Sequence, residues 1–71
     1  MTNYKAIVTL SDGAHKTWRG STDMVAHVVH KIREARKSIF VSEEKIYGIA
    51  VSLIVSIKFI NEFTKQTYLE I

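Results

Sequence analysis

Ile46-Tyr47-Gly48-Ile49-Ala50-Val51-Ser52-Leu53-Ile54-Val55-Ser56-Ile57-Lys58-Phe59-Ile60 is the stretch on which the fold turns. From Ile46 to Ile57 only Gly48, Ser52 and Ser56 interrupt the apolar run. These small residues lie four apart, which would line one stripe of a close-packed helix. Two features oppose that reading. Ile46, Ile49, Val51, Ile54, Val55 and Ile57 are β-branched, and such side chains lose rotamer freedom in a helix but fit a pleated strand. The run is also shorter than the ~20 apolar residues needed to cross a bilayer. The preferred reading is two strands, 46–51 and 54–60, joined near Ser52-Leu53. In the second, Val55, Ile57 and Phe59 alternate with Ser56 and Lys58, which predicts one core-facing side.

Upstream, the period is easier to read. Tyr4, Ala6, Val8 and Leu10 alternate with Lys5, Ile7, Thr9 and Ser11, as in a half-buried strand. Asp12-Gly13 then supplies the positive φ that a tight hairpin needs. The segment 15–19 is the return strand, with Trp18 on one face and Thr17 and Arg19 on the other. Gly20-Ser21-Thr22-Asp23 ends it and opens a helix, with Ser21 as cap and Asp23 in the first turn. Met24, Val25, Val28, Val29, Ile32 and Ala35 share one helical face. The opposite face carries His27, His30, Lys31, Arg33, Glu34 and Lys37, and cations close the last turn. Ile39-Phe40-Val41 is short and strand-like, and 42–45 suits a turn or another helix start. The tail 61–71 either adds a strand through Thr67 to Ile71 or stays loose.

These elements predict one α+β domain across 1–71: an N-terminal β-hairpin, one amphipathic helix, and two or three C-terminal antiparallel strands in one sheet packed on the helix. A chain of 71 residues buries only about 60% of its unfolded surface. It has no cysteine, hence no disulfide and no thiolate metal site. Small domains without such reinforcement often gain stability by associating, so a homodimer is one expectation. The absence of cysteine also fits a cytoplasmic protein. Met1-Thr2-Asn3-Tyr4-Lys5 lacks the layout of a signal peptide, and no membrane partner is expected.

The segments Tyr4–Leu10, Asp12-Gly13, Gly20-Ser21 and Val51-Ser52-Leu53-Ile54-Val55-Ser56-Ile57 together give a ββαβββ layout. In it the chain resembles a loose group of small proteins encoded by phages and mobile elements. The likeness is a pattern of hydrophobicity and turns covering most of the chain. It implies an accessory binding protein and assigns no functional residue.

Chemistry-bearing residues are sparse. His27 and His30 are three apart on the exposed helix face, with Glu34 one turn beyond His30. Such a set can hold a divalent metal, but zinc pairs favour a spacing of four and there is no third strong ligand nearby. Solvated histidines are the simpler reading. His15 lies near Ser11 and Asp12, yet a nucleophilic triad needs a buried orienting carboxylate and an oxyanion hole, which an exposed turn does not supply. Glu43-Glu44 is an adjacent pair whose side chains diverge or are solvated. Gly13, Gly20 and Gly48 are scattered and make no phosphate loop. A pocket of ~300 Å³ is also hard to build in so small a chain. The expectation is a non-enzymatic protein without cofactor, metal or small-molecule substrate.

Two binding readings remain, and a protein partner (or a second copy) ranks first. The apolar residues of 46–60 exceed what one face beneath one helix can hide, which predicts an exposed interface through Ile54, Ile60 and Phe63. Ile7 and Tyr47 join them in some registers. The alternative is nucleic acid. The net charge is +3, but residues 1–37 carry seven Lys or Arg against Asp12, Asp23 and Glu34, a net of +4, and the remainder nets −1. Lys16, Arg19, His30, Arg33 and Lys37 are the candidate phosphate contacts. Trp18 would stack on a base if exposed, although so small a core has its own use for a tryptophan.

Overall fold

The computed structural model describes residues 2–37 and 44–71. The predicted α+β class is the observed one. Strand β1 (Tyr4–Leu10) pairs antiparallel with β2 (His15–Gly20), Ala6 opposite Trp18 and Val8 opposite Lys16. Four residues, Ser11 to Ala14, connect them. Leu10 donates its N–H to the Ala14 carbonyl, Gly13 donates to the Leu10 carbonyl, and Asp12 Oδ1 accepts from the Ala14 N–H at 2.9 Å. Gly13 takes φ +87°, the left-handed position that closes such a loop.

Helix α1 (Thr22–Lys37) follows almost at once. Ser21 accepts the Asp23 N–H on its Oγ at 3.3 Å and the Met24 N–H on its carbonyl at 3.0 Å, which satisfies two amides of the first turn. Met24, Val25, Val28 and Ile32 are buried. Val29 and Ala35 pack half-buried beside them, so the apolar arc read from the sequence is the face that packs.

The decisive stretch folds differently from the expectation. In place of one strand over 46–51 there is a miniature hairpin, β3 (Lys45–Ile46) and β4 (Ile49–Ala50), turning at Tyr47-Gly48. Both turn residues have positive φ, +49° and +81°. Two such residues in succession define the mirror-image turn that matches strand twist in a tight hairpin. The chain then makes one 3-10 turn, Val51–Leu53, at the predicted junction, and enters β5 (Ile54–Asn61). The last strand, β6 (Thr67–Glu70), pairs with β5, so the tail adds a strand after a turn. The main sheet therefore has four strands, in the order β2-β1-β5-β6, with β3 and β4 forming a separate pair. The predicted 39–41 strand lies outside the described residues.

The β3–β4 hairpin also shows where the aliphatic surplus goes. Ile46 and Val51 join the same buried cluster as the helix and the inner face of the sheet. The core wraps around itself more completely than one helix on one sheet would allow. Ile54 is buried too, against the expectation that it faces a partner. The cause is a β-bulge: Thr9 pairs with Ser56 but Leu10 pairs with Ile54, which leaves Val55 unmatched. A bulge reverses the alternation beyond it. Val55 is turned outward and Ile54 inward, the opposite of the side assigned to each from periodicity.

Gly20 is where the sheet hands over to the helix. A Cβ built there would lie 2.6 Å from Met24 Cβ and 3.0 Å from its Cγ. Because Met24 Cβ is fixed to the helix backbone, an alanine must push the helix away. Gly20→Ala is expected to lower stability by about 1–3 kcal/mol. The readout is a lower urea midpoint with an unchanged slope; an unchanged midpoint would show that the helix has room to retreat.

Candidate interaction surface

The two edges of the main sheet are β2 and β6. Antiparallel pairs alternate between hydrogen-bonded and non-bonded. The Leu10–Ala14 bond fixes the phase of this alternation, so Lys16, Trp18 and Gly20 turn their backbone groups toward β1. His15, Thr17 and Arg19 turn theirs outward. Among the described residues nothing pairs with that outward row. His15, Lys16, Thr17 and Arg19 are exposed and Trp18 is half-buried. The row is solvated and therefore costs the fold little, but it is a ready template for another extended chain.

The same register sorts the side chains. Lys16 and Trp18 stand on the helix side, opposite Val8 and Ala6. His15, Thr17 and Arg19 stand on the outer face, in rows with Thr9, Ile7 and Lys5 and, one strand further, Ser56, Lys58 and Ile60. The helix and the small hairpin both pack on the other side, against Ala6, Val8, Ile57 and Phe59. The outer face thus holds Lys5, Arg19 and Lys58 among hydroxyls, with Glu70 opposite Lys58 and with Ile7 and Ile60 half-buried. Arg19 Nε meets Glu62 Oε1 at 3.3 Å, with 68% of the arginine side chain exposed. Lys5 sits directly across from Arg19 and has no ion pair among the described residues.

On the inner side, Trp18 is not sealed in the core. Its ring centroid lies 5.1 Å from that of Tyr47 in an edge-to-face arrangement, and Tyr47 lies 6.0 Å from His27. Three elements, β2, the β3–β4 turn and α1, therefore bring three rings together beside the free edge. Tyr47 keeps 56% of its surface exposed while holding a left-handed backbone, which costs a bulky residue on the order of 1–3 kcal/mol. Lys31 Nζ to Glu44 Oε2, at 3.1 Å, ties the hairpin to the helix nearby.

The residues singled out from the sequence do not form one patch. Lys16 and Arg19 lie on opposite faces of β2. His30, Arg33 and Lys37 are exposed on the helix, on the far side of the sheet from Arg19, and Lys37 Nζ is held by Glu34 Oε1 at 3.3 Å. Ile60 is half-buried on the outer sheet face. Phe63 is 91% exposed at the β5–β6 turn. Asn61 Oδ1 fastens that turn by accepting the N–H groups of Phe63 and Thr64 at 2.9 and 3.2 Å. Thr17 and Tyr47 were the residues that periodicity undervalued. A glycine directly after Tyr47, inside an apolar run, was the available signal for a turn there.

No three of His, Asp or Glu gather to hold a metal ion among the described residues. No helix there is long and apolar enough to cross a membrane. No protein-family model, curated protein or solved structure matches this chain.

The contact between Trp18 and Tyr47 can be measured directly. In a cycle of Trp18→Ala, Tyr47→Ala and the double variant, a coupling of about 0.5–1.5 kcal/mol is expected. Additive losses in chemical denaturation would mean that the two rings are neighbours without mutual stabilisation.

Proposed function

We propose that this protein is a small non-enzymatic protein-interaction module whose free β2 edge accepts an extended segment of another chain as a fifth strand. One observation carries the reading: the outward N–H and C=O groups of His15, Thr17 and Arg19 have no partner in the described structure, on an exposed strand of six residues. Strand addition draws affinity from main-chain hydrogen bonds and specificity from alternate side chains. A resemblance to small phage and mobile-element proteins, carried by the sequence pattern alone, would imply an accessory role of this kind.

A second copy is the less favoured occupant. Pairing β2 with a second β2 through its outward row, Thr17 opposite Thr17, sets Arg19 against His15 and Lys16 against Trp18, so the seam gathers four cations with no carboxylate of β2 to balance them. Such charges are a usual protection against edge-to-edge association.

The nucleic-acid reading keeps one supporting observation, the exposed helix row of His30, Arg33 and Lys37. Phosphate contacts there would make affinity for a single-stranded oligonucleotide fall steeply with salt. Arg33→Glu with Lys37→Glu would abolish it. Affinity that survives both changes rules the helix face out.

The edge itself is tested without knowing the natural partner. In the free protein, the amides of His15, Thr17 and Arg19 are expected to exchange at least about a hundredfold faster than those of Lys16 and Trp18. A neutral blocked octapeptide alternating valine and threonine is expected to shift the NMR signals of those three residues, leaving His30 and Arg33 unmoved. Equal protection along β2, or shifts confined to the helix, would remove the proposal.

A further inference from the structure

The edge has a chemical preference as well as a shape. Resting on the strand-addition reading, we infer that the segment accepted by β2 carries an acidic side chain in register with Arg19, next to an apolar side chain in register with Trp18.

The two faces of β2 fix this order. A residue added opposite Arg19 lies on the outer face, in the row that continues to Lys5 and then Ile60. Lys5 has no ion pair among the described residues. Glu62 is the single described carboxylate on Arg19, and that guanidinium remains largely exposed. An incoming carboxylate therefore meets Arg19 directly and has Lys5 one strand beyond it, two cations balanced by one acid. A lysine at the same place would add a third positive charge to the row.

The neighbouring residue of the added strand points the other way, toward the helix side, because successive side chains alternate. There it meets the half-buried ring of Trp18, backed by Tyr47. An apolar side chain at this position hides ring surface that is still wet, whereas a charged one would be desolvated against an aromatic edge. Tyr47 is held there by the turn at Tyr47-Gly48, whose strained tyrosine backbone gains a purpose as the back wall of this position.

Two blocked octapeptides serve as probes, one alternating valine with glutamate and one alternating valine with lysine. The glutamate peptide is expected to bind at least about tenfold more tightly at low salt, the size of one or two cross-strand charge pairs. The gap should narrow as salt screens it. Lys5→Glu, which leaves the β2 backbone untouched, should shrink the preference severalfold, and Trp18→Ala should weaken both peptides. Thr17→Pro should abolish binding of either, because it removes an outward N–H that the β1–β2 ladder does not use.

Equal affinity for the two charged peptides would overturn the acidic preference while leaving strand addition in place. Binding that survives Thr17→Pro would overturn strand addition itself. Peptide-free protein whose mass grows with concentration, and no longer does so with Thr17→Pro, would show β2 filled by a second copy and would overturn the foreign segment.

Discussion

Two facing pairs hold this molecule together: Ala6 with Phe59, and Val8 with Ile57, across β1 and β5. All four side chains are fully excluded from water, as is Val28 of the helix above them. Each large apolar side chain buried in this way contributes roughly 1.5–3 kcal/mol. A domain of this length has only about 4–10 kcal/mol of net stability. Losing any one of the three large side chains would therefore remove a sizeable part of that net stability. The alanine is as necessary as the phenylalanine, since a larger residue at position 6 would compete for the space that Phe59 fills.

That constraint explains the architecture around it. β1 and β5 must be central, so the outer strands are recruited from what is left: β2 through the turn at Gly13, and β6 through the hydrogen-bonded turn after Asn61. One helix cannot cover the inner face of four strands. The β3–β4 hairpin closes the gap, bringing Ile46 and Val51 to the same cluster. The price of that cover is a tyrosine in a left-handed backbone. The outer face receives no such cover; around the half-buried Ile7 and Ile60 it carries hydroxyls, cations and the carboxylates of Glu62 and Glu70, which water solvates well.

The first half of the chain was readable because its local signals agree with its tertiary role. Alternation in 4–10, the Asp12-Gly13 turn, the Ser21 cap and the apolar arc from Met24 to Ala35 each point to the element that forms. The second half was harder because its decisive events break periodicity. A turn inside an apolar run and a bulge at Val55 both displace residues relative to a regular strand, and composition carries little trace of either. For the same reason Ile54, assigned to a surface, is core, while Phe63 is indeed exposed. The candidate site was visible only in part. Lys16, Trp18 and Arg19 stood out as charged or aromatic, but edge position is a property of strand order, and strand order is set by contacts between residues fifty apart.

An open edge on a marginally stable sheet invites aggregation, and the charges on β2 address this. Lys16 and Arg19 offer a second copy of the strand no carboxylate partner, yet they leave the main-chain row intact, where a proline or a covering loop would have removed it. The difference matters for function. A blocked edge is inert toward every chain, whereas a charged edge discriminates by the sign of what approaches. Trp18 then adds a contact that a merely acidic chain does not satisfy. On the strand-addition proposal, the two cations and the half-buried ring of β2 favour an acidic segment with an apolar neighbour over a copy of β2.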